Sequence, residues 1–269
     1  MSGTAIALGV SLVTSAALVA GLALVTFAIG CRAGRHSVLD VAWGIGFGLV
    51  AVASLAVTAG HGNTARRSLL AGCTLAWGLR LAGYVWWRNR GRGEDPRYAA
   101  VLDRAPGSRN GYALRRVYLP QAVLLWLISV PVQAGMVTTA PPGALAWAGL
   151  AVWAAGLGFE ATGDWQLARF KADPANHGKV MDRGLWRYTR HPNYFGDACV
   201  WWGLFLISAG SAAGLAAVFS PLVMTVLLVA GSGKPMTEAR MAKRPGYAEY
   251  VARTSGFVPL PPRRISHPG

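Results

Sequence analysis

Seven runs of apolar sequence, each about as long as a bilayer-crossing helix, dominate this chain of 269 residues. Spanning the hydrocarbon core takes roughly 20 such residues. The runs fall at about 4–30, 39–60, 67–87, 117–138, 143–165, 193–210 and 213–231. Only 14% of the residues are charged, against about 25% in an ordinary soluble domain, so charge must be concentrated between the runs. The predicted fold class is an all-α integral membrane protein. We expect a seven-transmembrane helix bundle forming a single membrane domain over 1–269, with a tail from 232. No basic residue precedes Arg32, and the first run is too long for the core of a secretory signal, so it is expected to be a retained helix.

The basic residues predict an orientation. Lysine and arginine number 26 against 11 acidic residues, a formal charge of +15. Two arginines follow the first run, and eight between Arg88 and Arg116 follow the third. Six basic residues between Arg169 and Arg190 follow the fifth, and seven from Lys234 to Arg264 lie in the tail. These 23 share one side, whereas Arg66 and Arg67 fall on the other and Arg80 lies within the third run. The positive-inside bias then places the N-terminus outside and the C-terminus in the cytoplasm, a parity that seven spans satisfy and six do not. Function is expected on the cytoplasmic face.

Several classes are excluded. Cys31, Cys73 and Cys199 lack paired spacing, which argues against a disulfide scaffold, a zinc ribbon or a thioredoxin-like site, so no metal is expected. Gly44, Gly46 and Gly48 lie inside a span with no preceding strand; small residues there allow close helix packing rather than dinucleotide binding. The basic loops carry no nucleic-acid motif. The expected partner is membrane lipid, without nucleic acid or an obligate protein partner.

Polar groups near the spans are the candidate site. Asp40, Glu160, Asp164 and Asp197 would be costly if left charged in lipid, so each faces the bundle interior, water or a partner. Glu160 and Asp164 are four apart and share a helix face, as do Arg80 and Tyr84. The segment Arg88–Arg97 places glycines among arginines beside Glu94 and Asp95, the pattern of a shaped turn. Its forked guanidinium groups suit either a phosphorylated ligand or anionic lipid. The densest cluster runs from Gly184 to Asp197 and holds Arg187, Tyr188, Arg190, His191, Asn193, Tyr194 and Asp197. Pro192 suits the first position of a helix, whose N-terminal N–H groups favour an anion.

That cluster, Gly184-Leu-Trp-Arg-Tyr followed by Arg190-His-Pro-Asn-Tyr-Phe-Gly-Asp197, resembles the signature of the steroid 5-alpha-reductase-like membrane family. The likeness is to its bacterial DUF1295-type branch of unassigned substrate. Three further stretches agree: Asp40 to Phe47, Trp77-Gly-Leu-Arg80 through Gly93-Glu-Asp95, and Arg244-Pro-Gly-Tyr247 with Tyr250 and Phe257-Val-Pro259. The resemblance implies a multi-pass enzyme of the bacterial inner membrane that uses NADPH to reduce an activated C=C bond in a steroid-like or isoprenoid lipid. It implies cofactor contacts from Arg80, Asn89 and Arg92, and from Glu160, Asp164, Lys171 and Lys179. The same holds for Asn193, Asp197 and Tyr250, with Arg187, Tyr188, His191, Tyr194 and Tyr247 from the matching segments. Steroid-reducing members polarise their ketone with a Gln-Glu pair and a Tyr, where this chain offers Asp40 and Trp77. Tyr84, or a protonated Asp40, is then the expected proton donor. The alternative is an S-adenosylmethionine-dependent methyltransferase of the isoprenylcysteine carboxyl type, which shares the Arg-His-Pro-x-Tyr-x-Gly segment.

Overall fold

The computed structural model describes residues 3–263, so Arg264, counted above in the tail, lies outside them. The long helices are α1 (Gly3–Ala33), α2 (Leu39–Val57) and α3 (Thr64–Asn89). Two short helices follow, α4 (Pro96–Leu102) and α5 (Arg109–Ala113). A wide turn over Leu114–Tyr118 joins α5 to α6 (Leu119–Ile128), and α7 (Val130–Met136) continues after a break at Ser129. Then come α8 (Ala144–Ala172), α9 (Pro192–Ser208), α10 (Ala212–Ala216), α11 (Phe219–Val229), α12 (Lys234–Met241) and α13 (Tyr247–Arg253). Among the described residues there is no strand, only an isolated bridge between Thr189 and Ser255.

Among the described residues, six helical stretches are long and apolar enough to cross a membrane: Gly3–Ala33, His36–Val57, Thr64–Asn89, Arg109–Met136, Ala144–Ala172 and Ala212–Met241. The run expected at 193–210 forms α9, which has 17 residues. Two boundaries differ from the sequence reading. The fourth stretch starts at Arg109 rather than 117, because the wide turn carries the helix through without a stop. The fifth runs on to Ala172, which puts Gln166, Arg169 and Lys171 on a helix instead of in a loop. Leu167 to Ala172 are good helix formers, and the helix stops only where Asp173 precedes Pro174.

The chain divides into two compact units, Met1–Trp147 with Leu204–Ser220, and Ala148–Gly203 with Pro221–Gly269. In the first, α1 packs on α2, α2 on α3, and α7 against all three. Helices α2 and α3 cross backbone to backbone, since a Cβ on Gly78 would stand 2.5 Å from the Gly44 carbonyl oxygen. Phe47 and Trp77 meet edge to face at 5.4 Å beside that crossing. Arg66 donates to the carbonyls of Ala140, Pro141 and Ile207, and Arg67 to that of Leu55. Both therefore answer carbonyl groups at helix ends, where cations are favoured.

In the second unit α8 and α9 approach just as closely. A Cβ on Gly196 would lie 2.5 Å from both the Glu160 nitrogen and the Gly156 oxygen. Substituting Gly196→Val should therefore destabilise by on the order of 1–3 kcal/mol. Thermal denaturation in detergent, followed by circular dichroism, checks this against Gly158→Ala on α8, whose Cβ meets nothing within 4 Å. Equal melting temperatures for the two variants would refute the tight crossing.

Candidate functional site

The α8–α9 approach decides which polar groups meet in the second unit. Glu160 and Asp164 are both buried, at 3% and 5% exposure. The Asp164 carboxylate accepts from the Asn193 amide nitrogen at 3.3 Å. The Asn193 amide oxygen is buried and has no hydrogen-bond partner among the described residues. Such a group costs free energy unless something answers it. Asp197 follows one turn later on α9, partly buried.

Side-chain hydrogen bonds hold the segment between α8 and α9. Gln166 accepts from the Leu185 backbone N–H at 2.9 Å, the Trp186 indole donates to the Gly163 carbonyl at 3.0 Å, and the Tyr250 hydroxyl donates to the Trp186 carbonyl at 2.6 Å. His191 is buried and stacks flat on Tyr194, with ring centroids 5.1 Å apart, while Tyr194 and Thr237 share a hydroxyl contact at 3.2 Å. Glu238 on α12 takes the Arg190 guanidinium at 2.8 Å and the His191 ring at 3.2 Å. Burial pulls His191 down to about 4, although Glu238 opposes the shift, so the ring is neutral at pH 7. Burial pushes the Tyr250 phenol up, with Arg190 opposing, and Tyr247 is raised in the same way.

These elements enclose a cavity of about 460 Å³. Its apolar wall comes from Leu167, Phe170, Met181 and Trp186. Lys171, Lys179, Arg190, Arg240 and Arg244 supply cations, and no carboxylate among the described residues lines it. His191, Tyr247 and Tyr250 complete the lining. The structure thus brings five of the expected residues to one cavity, namely Lys171, Lys179, His191, Tyr247 and Tyr250. Tyr194 lies behind His191, and Glu160, Asp164 and Asn193 sit at the helix crossing. Arg187 and Tyr188 are exposed and do not line the cavity. Glu238 was missed from the sequence; its one signal is a carboxylate standing among Lys234, Arg240, Lys243 and Arg244.

In the first unit, Tyr84 lies between two guanidinium groups, with Arg80 and Arg88 at 5.6 and 5.7 Å from its ring centroid. Asn89 accepts from Arg88 at 3.3 Å, and the Arg92 carbonyl accepts from Arg35 at 2.9 Å. The loop after α3 is a shaped turn, as expected. The Glu94 carboxylate accepts the backbone N–H groups of His36 and Ser37, and Asp95 caps α4 by accepting from the Arg97 N–H. Asp40 accepts from Arg97 at 2.7 Å and from the Tyr98 hydroxyl at 2.6 Å. Two donors are thus aimed at one carboxyl, and Arg97 forms an ion pair with it. Burial works against the Arg97 charge, but Asp40 and Asp95 hold the guanidinium above its ordinary range.

A family model described as "Protein of unknown function (DUF1295)" matches residues 26–254. No curated protein matches the chain, and neither does any solved structure.

His191 gives the site a pH dependence. An unfolded histidine titrates near 6.5, so between pH 6.5 and 4 the unfolded chain binds the proton that the folded ring refuses. Stability from this residue is complete above pH 6.5 and falls as the pH drops through that window, by on the order of 3 kcal/mol in all. Melting curves of wild type and His191→Gln should run parallel above pH 7 and converge below 6.5. A constant gap across the range would contradict the assignment.

Proposed function

The chain belongs to the DUF1295 family, and we propose that it is an NADPH-dependent membrane reductase of an activated carbon–carbon double bond in a steroid-like or isoprenoid lipid. The observation that carries the reading is the 460 Å³ cavity, lined by cations and aromatic side chains and by no carboxylate among the described residues. That set suits a ligand with several phosphates and flat rings. S-adenosylmethionine, which has no phosphate, would offer those cations a single carboxylate, and they would repel its sulfonium charge. The unanswered Asn193 oxygen beside Asp164 supports a second polar end to the site, where an amide or sugar hydroxyl could donate. When bound, the nicotinamide would supply the hydride equivalent for the reduction.

The protein's own groups then take the following parts in this reading. Lys171 and Lys179 bind the 2′-phosphate, Asp164 and Asn193 orient the cofactor at the start of α9, and Tyr250 closes from the tail. Neutral His191 keeps Tyr194 stacked and Glu238 in place. Reduction adds a hydride equivalent to the β carbon and a proton to the α carbon. Negative charge that develops on the conjugated carbonyl oxygen needs a donor in a water-poor setting, and Tyr84 is the proposed donor. We further propose that α9 crosses as well. Its 17 residues reach about 25 Å at 1.5 Å per residue, near the lower limit for a span. Seven crossings would put the termini on opposite sides, and the bias of basic residues supports a cytoplasmic tail and an external N-terminus in a bacterial inner membrane.

Calorimetric titration of the purified protein should show NADPH binding at least tenfold tighter than NADH, and S-adenosylmethionine not binding. Equal affinity for the two nucleotides would sink the phosphate assignment. Asp164→Ala and Asn193→Ala should each weaken NADPH binding by roughly 5- to 30-fold, the range for losing one buried polar partner. The proton donor has a separate test. Tyr84→Phe keeps the ring between Arg80 and Arg88, so it should bind NADPH normally and turn over an enone-bearing lipid at least 100-fold more slowly. Turnover at the wild-type rate would remove Tyr84 from the mechanism.

A further inference from the structure

Beyond α13 the chain doubles back as a fixed strap. The Arg190 N–H donates to the Ser255 carbonyl at 2.9 Å, and the Thr189 hydroxyl donates to the Phe257 carbonyl at 2.7 Å. The Leu260 N–H reaches the Tyr188 carbonyl at 3.0 Å, and the Arg263 N–H reaches that of Arg253 at 2.9 Å. The strap encloses a second cavity of about 240 Å³ on the other side of Arg190. Arg190, Arg253 and Arg263 line it together with Thr254 and Ser255, and no carboxylate does. The nearby acids are already engaged: Glu238 by Arg190 and His191, and Asp182 by Arg253. The Arg263 guanidinium makes no hydrogen bond or ion pair among the described residues.

The flank of this cleft is apolar and exposed. Val251 is 37% exposed, and Val258 and Leu260 are each 52% exposed. Arginines converging on a polar hollow, with bare aliphatic side chains beside them, match the chemistry of a bilayer surface. Aliphatic groups enter the acyl boundary while guanidinium forks grip phosphate. A free anion would use the arginines but would leave Val258 and Leu260 in water. We propose that the cleft binds the phosphate headgroup of an anionic phospholipid and so fixes the strap to the membrane surface. The strap follows directly on Tyr247 and Tyr250, which line the larger cavity, so its docking steadies that wall. This inference is independent of what the larger cavity holds.

The test uses the full chain in lipid nanodiscs of phosphatidylcholine, with or without phosphatidylglycerol. Hydrogen exchange over residues 251–263 and lipid retention by native mass spectrometry are the readouts. Phosphatidylglycerol should slow exchange across the strap and stay bound after detergent extraction. Arg263→Gln should weaken retention about fivefold, as expected for one surface arginine facing anionic lipid, and its side chain holds nothing else in place. Val258→Ser with Leu260→Ser should also weaken retention while leaving every arginine intact, which a simple charge effect would not produce. Inorganic phosphate added to phosphatidylcholine discs should give no protection. Equal protection by phosphate alone would make the cleft a free-anion site and overturn the lipid assignment. Wild-type retention in Arg263→Gln, or no response to phosphatidylglycerol, would overturn it as well.

Discussion

A charged side chain at bilayer depth must be answered, and much of this architecture follows from how each one is. Asp40 lies at the start of a helix long and apolar enough to cross a membrane and is met by Arg97 and Tyr98 from α4. That pairing fixes the loop after α3, and the Glu94 carboxylate, bound to the N–H groups of His36 and Ser37, fixes it a second time. The Asp40 and Arg97 side chains are both only partly buried, so removing one partner leaves the other charge without its ion pair but still in reach of water. Arg66 and Arg67 follow the same rule with carbonyls in place of carboxylates. The polar groups thus act as clamps between helices whose lipid-facing surfaces carry no such specificity.

The helices themselves were legible because a twenty-residue apolar run is a signal that needs no partner. Their interruptions were not. The wide turn at Leu114–Tyr118 and the break at Ser129 lie within one apolar stretch and depend on local hydrogen bonds that composition does not encode. Close packing at Gly44 was legible, yet Gly78 as its opposite number was not, since nothing in the spacing says which face of α3 turns inward. The charge count was legible, but not the burial of Arg66 and Arg67, which the positive-inside rule treats as ordinary loop residues.

The same division holds at the candidate site. The Gly184–Asp197 cluster stood out by density of polar side chains. Its separation into exposed Arg187 and Tyr188 and buried His191 did not, because the short turn at Gly184–Arg187 breaks the helical periodicity from which faces are read. Asp40 looked like a lone carboxylate because Arg97 is 57 positions away. Glu238 went unnoticed because its partners, Arg190 and His191, lie 48 and 47 positions back. Pairings of that range belong to tertiary structure and leave no periodic trace.

Arg190 joins the groups around α12 to the end of α13. Its Nε answers Glu238, while one of its terminal nitrogens donates to the carbonyls of Thr254 and Val251. It also lines both cavities of the second unit. Its positive charge works with burial to keep His191 unprotonated, whereas Glu238 works against them. If the end of α13 shifted, Arg190 would lose its carbonyl partners and its hold on Glu238 would loosen. The carboxylate would then be left to His191, and the ring would gain proton affinity. A proton on His191 would in turn compete with Arg190 for the same Glu238 oxygen. One Glu238 oxygen thus serves both the buried imidazole and the guanidinium that holds the carbonyls at the end of α13.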